Sequence, residues 1–156
     1  VNSKPLDKQV VVEGYLHVNR EWSAGDSVEL TLSMPAEFIA PNPRIDASRG
    51  CVAIRLGPII YAIEQEDVQD SKMNIEDFVV DASKNPVVKN IDFPIHGSAK
   101  ALTISGGYLQ APNPQSPAYF VHGEKMNIQT ASATAIPYFL WGNRGFGGMR
   151  VWVPES

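Results

Sequence analysis

Three histidines, one cysteine and seventeen acidic residues are the groups with which this chain could do acid–base, nucleophilic or metal chemistry. A Ser-His-Asp hydrolase needs a nucleophile within hydrogen-bond reach of an oriented histidine. His17, His96 and His122 fall in separate segments, and none stands in a local motif such as G-x-S-x-G. His17 alternates onto a polar strand face, whereas His96 and His122 each precede a glycine, as a strand end or turn would. Zinc asks for spaced cysteine and histidine ligands. Cys51 is alone, opens an apolar run, and reads as a small buried hydrophobe. A glycosidase needs two carboxyl groups about 5–9.5 Å apart across a cleft. Glu13, Glu29, Glu64 and Glu66 read instead as solvated strand-face or strand-end residues. The run "DVQDSKMNIED" offers oxygen ligands at Asp67, Asp70, Asn74, Glu76 and Asp77. It lacks the EF-hand spacing and central glycine, so it reads as a solvated acidic loop. Gly145, Gly147 and Gly148 precede no helical pattern with a lysine, so no phosphate loop is expected. The residues predict no catalytic group and no metal site.

The aromatics are more informative. "AIPYFLWGNRGFGGMRVWVPES" crowds Tyr138, Phe139, Trp141, Phe146 and Trp152 beside Arg144 and Arg150. Aromatic rings stack on sugars, and they also supply much of the energy of core and interdomain packing. In an extended chain Tyr138 and Leu140 would face one way, Phe139 and Trp141 the other. One set is then expected in the core, and the other beneath a neighbouring domain or a sugar. Arg144 could pair with a carboxylate or with strand-end carbonyls. Trp22, in "REW", is a comparable anchor. Trp22, Trp141 and Arg144 are therefore the candidate interdomain or sugar contacts.

The elements that must position these residues alternate with a period of two. "SVELTLSM" sets Val28, Leu30, Leu32 and Met34 against Glu29, Thr31 and Ser33, as a strand with one wet face does. "VVVEGYLHV" alternates likewise, and a turn at Gly25-Asp26 would make the two a hairpin. "CVAIRL" and "IIYAIE" form a second pair about Gly57-Pro58, with Pro58 at a strand start, edge or bulge. Pro41 and Pro43 favour an extended crossing between the pairs. Beyond Glu64 the pattern weakens. A helical turn precedes a short strand at "DFVV", "ALTISGGYL" is a strand broken by Gly106-Gly107, and "QAPNPQSPAYF" is a loop. "MNIQTASATAIPYFLW" is one bent strand or two, and "MRVWV" closes the chain as a partner strand. The expectation is an all-β, antiparallel β-sandwich, jelly-roll-like, with an irregular insertion in the middle. It forms a single domain over 1–156, with 65–123 a loop-rich elaboration.

The 156 residues suffice for a core without disulfides. Net charge is −4 with no basic run, which argues against a nucleic-acid groove. No apolar run approaches the ~20 residues of a membrane-spanning helix. The polar start "VNSKPLDKQ" lacks the apolar centre of a signal peptide, and the lone cysteine leaves the cellular compartment unassigned.

Three blocks carry a resemblance. "TAIPYFLWGNRGFGGMRVWVPE" resembles the C-terminal signature of glycoside hydrolase family 127, the β-L-arabinofuranosidase family. "GYLHVNREWSAGDSVELTLSMP" and "NPRIDASRGCVAIRLGPIIYAIEQED" match it in the same order. Over the middle, from about Val68 to Ala133, no resemblance is recognised, as a lineage-specific insertion would have it. The resemblance implies a larger parent, in which an (α/α) barrel carries the active site and β-sandwich domains follow. The family's cysteine nucleophile, zinc ligands and acid/base glutamate would lie upstream of Val1, so no catalytic role and no cofactor transfer to this chain. Cys51 is not the nucleophile. The implied function is a non-catalytic accessory sandwich whose partner is the barrel of the same chain. In the parent, a terminal arabinofuranose would be released from plant glycans with retention. The alternative is a carbohydrate-binding module using exposed aromatics among Trp22, Tyr108, Trp141 and Trp152. A complete small hydrolase is a third reading that no sequence feature favours.

Overall fold

The computed structural model describes residues 1–6, 10–68, 73–94, 97–110, 119 and 127–156. His96, His122, Asp70 and most of the proline-rich loop lie outside the described residues. The chain divides into two compact units, Val1–Ser33 and Met34–Ser156.

In the first unit, β1 (Val10–Val12) and β2 (Tyr15–His17) pair antiparallel, Val12 opposite Tyr15. The hairpin therefore closes inside "VVVEGYLHV", not between it and "SVELTLSM". The cause is local: Glu13 and Gly14 both take positive φ, 50° and 83°, the backbone of a tight two-residue hairpin turn. Residues 27–33 belong to no strand. The expected turn at Gly25-Asp26 does form. Asp26 N–H donates to the Ser23 carbonyl at 3.1 Å, and Ser23 N–H donates to the Asp26 carboxylate at 2.9 Å.

The second unit is one curled, nine-stranded sheet. Its strands are β3 (Ala36–Ile39), β4 (Cys51–Leu56), β5 (Ile59–Val68), β6 (Phe78–Val80), β7 (Val87–Phe93), β8 (Gly97–Leu109), β9 (Ile128–Pro137), β10 (Met149–Arg150) and β11 (Trp152–Pro154). The order is β11-β4-β5-β9-β8-β6, with β3 also on β4, β10 on β5 and β7 on β8. All ladders are antiparallel. The sheet curls until its ends meet, where Val80 bridges Glu155 and Ser156 N–H donates to the Val80 carbonyl at 3.0 Å. The all-β, antiparallel, sandwich-like expectation holds.

Alternation explains the core. Ile54 and Leu56 of β4, Tyr61 and Ile63 of β5, Leu102 and Ile104 of β8, and Ala135 of β9 fill the inside of the curl with Phe78 and Val153. The residues one step out of phase, Ala101 and Ile136, face outward and meet Phe93 and Leu140 in a second cluster. Residues buried on both sides of a strand give the near-continuous apolar runs seen at "CVAI" and "ATAI".

The middle stretch carries more of the sheet than its weak patterning suggests. A 3-10 turn (Ile75–Asp77) leads into β6, and β8 runs unbroken through Gly106-Gly107. Glycine is there because neighbouring backbone comes too close for a side chain: a Cβ on Gly106 would collide with the Val79 carbonyl. Tyr108, a candidate sugar platform in the sequence, is buried against Phe78 with ring centroids 5.3 Å apart.

Candidate functional site: an aromatic segment anchored by Arg144

The segment that closes the sheet begins where β9 ends. Pro137 caps a 3-10 turn over Tyr138–Leu140, in place of the extended chain the alternation predicts. A tighter helical turn rotates successive side chains away from strict up-and-down order. Leu140 alone goes into the core, and Tyr138, Phe139 and Trp141 are left exposed. The Tyr138 and Trp141 rings lie parallel within 8°, with centroids 6.2 Å apart. Phe146 projects fully into solvent.

What holds this segment is a break in register on β5. Ile63 pairs with Ala135, but Val68 pairs with Ala133, so β5 bulges between them. A bulge re-aims side chains that a regular strand would send to opposite faces. Here it turns Glu64 and Asp67 toward one guanidinium. Arg144 Nε donates to Glu64 Oε2 at 2.9 Å, and Nη1 donates to Asp67 Oδ1 at 2.9 Å. Arg144 Nη2 bonds both carboxylates, reaching Asp67 Oδ2 at 2.7 Å and also Glu64 Oε2. The other Glu64 oxygen accepts from Gly142 N–H at 2.8 Å, and Asp67 accepts from Glu64 N–H at 3.0 Å. The guanidinium also lies 5.6 Å from the centroid of the Phe93 ring. Burial pulls the Arg144 pKa down. The hydrogen bonds that it donates to Asp67 and Glu64, with their negative charge, outweigh that and hold the group above its ordinary value. Arg144 is therefore a fixed cation.

The glycines of "RGFGGM" let this loop lie flat on the bulge. A Cβ on Gly147 would stand 2.8 Å from Gln65 Cβ, and one on Gly145 would overlap the Glu66 carboxylate. The Gly148 carbonyl then accepts from Gln65 N–H at 2.9 Å, and β10 pairs with β5. "MRVWV" thus adds to β5 and β4, with Val153 buried and Trp152 partly exposed. A groove of about 460 Å³ beside it is lined by Ile75, Glu76, Arg150 and Trp152.

Arg144 and Trp141 thus share one segment of the second unit. Trp22 lies in the first unit, half-exposed, with the Arg20 guanidinium 5.1 Å from its ring centroid. Sequence reasoning missed Glu64 and Asp67 as the partners of Arg144, because three residues apart on a regular strand they would face opposite ways. It also missed Phe93. Among the described residues, no group of three or more His, Cys, Asp or Glu side chains could hold a metal ion. Cys51, expected to be buried, is half-buried and pairs across the ladder with Pro154.

Residues 36–154 match the family model described as the glycoside hydrolase family 127 C-terminal domain. The middle of the chain, from about Val68 to Ala133, where the sequence showed no resemblance, falls inside the family match and is not an insertion foreign to it. A non-reducing end β-L-arabinofuranosidase of Bifidobacterium longum subsp. longum is 31% identical over 141 residues, covering 88% of this chain and 20% of that protein. A solved glycoside hydrolase matches 99% of this chain, and 25% of its own, with a TM-score of 0.84 and 28% identity. A family 127 β-L-arabinofuranosidase from Geobacillus stearothermophilus T6 matches 79% of this chain and 18% of its own, with a TM-score of 0.62 and 27% identity. The chain therefore spans about a fifth to a quarter of the length of these relatives. With its second unit matched almost from end to end, the chain belongs to glycoside hydrolase family 127 and carries that family's C-terminal domain.

Proposed function

We propose that this chain is a non-catalytic accessory β domain of a longer β-L-arabinofuranosidase-like glycoside hydrolase, and that it braces the upstream part of the same polypeptide. The observation that carries this reading is the segment Tyr138–Phe146. Its four large aromatics are exposed, yet the segment is tied to β5 through the part-buried Arg144 side chain and the Gly142 N–H. Rigid, exposed aromatics are what interdomain contacts use, because little conformational entropy is lost when they dock. The bond-breaking groups, and any zinc, would belong to the upstream part. The carboxylates best placed to act together, Glu64 and Asp67, are already committed to Arg144.

The test compares the full-length polypeptide with this chain. Replacing both Trp141 and Phe146 by serine should lower the melting temperature and arabinofuranosidase activity of the full-length protein. The melting of the 156-residue chain should change little. Turnover of an aryl arabinofuranoside by this chain alone would refute the non-catalytic reading. Saturable binding of arabinan fragments to this chain, lost in the Trp141 variant, would favour the carbohydrate-binding alternative.

A further inference from the structure

The groove beside β10 is formed by a fork in the sheet. β4 pairs with β5 only as far as Ile54 and Tyr61. Beyond that point β5 takes β10 at Ile63 and Glu64, and β4 takes β11 at Cys51, Val52 and Ala53. The chain bends at Val151 to pass from one to the other. On either side of the bend, Arg150 and Trp152 line the groove together with Ile75 and Glu76 of the 3-10 turn. Its volume, about 460 Å³, is that of a small-molecule site. The turn is pinned in place. Gln65 donates to the Met73 carbonyl at 2.8 Å and accepts from Ile75 N–H at 2.9 Å, and Asn74 accepts from Glu76 N–H at 3.1 Å. A frame held in this way loses little freedom when a ligand enters.

The charged groups of the groove are uncommitted. Arg144 is occupied by Glu64 and Asp67. Among the described residues, neither Arg150 nor the Glu76 carboxylate has an ion-pair partner, and the buried Arg150 Nε–H has no acceptor. Buried donors are rarely left so, because the unmade bond is costly.

The pairing of groups selects the ligand. An anion would meet the Glu76 carboxylate, and a cation the Arg150 guanidinium. A neutral ligand rich in hydroxyls suits both, since one hydroxyl accepts from the guanidinium and another donates to the carboxylate. Trp152, 38% exposed, offers a flat apolar face to a ring. A zwitterion would also match the two charges, but Glu76 is exposed, and an exposed ion pair is worth little.

We infer that this groove is a binding subsite for one neutral sugar ring, held through its hydroxyls by Arg150 and Glu76 and through its face by Trp152. The subsite adds to the bracing role and does not rest on it, because none of its residues belongs to Tyr138–Phe146.

NMR titration of this chain with L-arabinose, D-galactose and short arabinan fragments tests the assignment. The indole N–H signals of Trp22, Trp141 and Trp152 report three separate places. Trp152 should shift saturably, with a Kd of about 1–10 mM for one ring in an open groove, while Trp22 and Trp141 stay still. Glu76→Ala, at an exposed position, should keep the folded spectrum and weaken binding about tenfold or more. Arg150→Gln should weaken it likewise. No saturable shift below ~100 mM with any probe would overturn the inference. So would binding indifferent to Glu76→Ala, shifts centred on Trp141, or saturation by L-leucine in place of sugars. In the full-length polypeptide, the sugar that binds should slow hydrogen exchange of residues 148–153, and Arg150→Gln should remove that effect. A segment already protected there without sugar, and indifferent to it, would give the groove to the rest of the polypeptide and overturn the inference.

Discussion

Arg144 Nε lies 2.9 Å from Glu64 Oε2, across a sequence separation of 80 residues. This contact joins the aromatic segment to the bulge in β5, and the first prediction tests it. Removing one partner of a buried ion pair leaves the other charge uncompensated, at a cost of about 3–5 kcal/mol. Arg144 keeps an exposed edge, with 16% of its side chain open to water, so screening trims the figure. Arg144→Ala should therefore destabilise this chain by about 2–4 kcal/mol in urea unfolding. Arg144→Lys should recover only a small part, because an ammonium cannot serve both carboxylates with a planar fork.

Gly147→Ala should lower stability by about 1–3 kcal/mol, because the added carbon would meet Gln65 and push the loop off β5. The accompanying change would be faster exchange of the Gln65 amide, which loses its bond to the Gly148 carbonyl.

Phe146→Ala should change the stability of this chain by no more than about 0.5 kcal/mol, since the ring is fully exposed. Phe78→Ala should cost about 3–5 kcal/mol, because that ring is fully buried among Val80, Ile104 and Tyr108. Chemical denaturation of both variants under one set of conditions measures the contrast.

Asp81 should titrate below the usual aspartate range. Hydrogen bonds from Ser83 and Lys84 favour its charged form. A lowered folded value means that the contribution to stability is complete above about pH 4, the ordinary aspartate value. It fades as pH falls through the lowered value. Carbon-13 NMR titration of the Asp81 carboxyl reads the value directly, and Asp81→Asn should flatten that part of the acid-unfolding curve.

Much of the sheet was legible before any coordinates. "CVAIRL" and "IIYAIE" about Gly57-Pro58 became β4 and β5, because apolar runs with a turn between them leave few other solutions. The short strand at "DFVV", with a helical turn before it, was also legible. "VVVEGYLHV" was misread because the reversal at Glu13-Gly14 places a non-glycine residue at positive φ, which no apolar pattern signals. The segment after Pro137 was misread because a strand period was carried into a 3-10 turn.

The sequence by itself determined the family, the β class and the absence of a recognisable catalytic motif. These depend on residue types and on a local period of two, which the pleat of any strand imposes. Tertiary structure decided the fate of the acids and the aromatics. Glu64 and Asp67 became ligands of one guanidinium only because β5 slips register against β9. Tyr108 went into the core while Trp141 stayed out. Such outcomes depend on which distant backbone lies alongside, and local alternation carries no information about that.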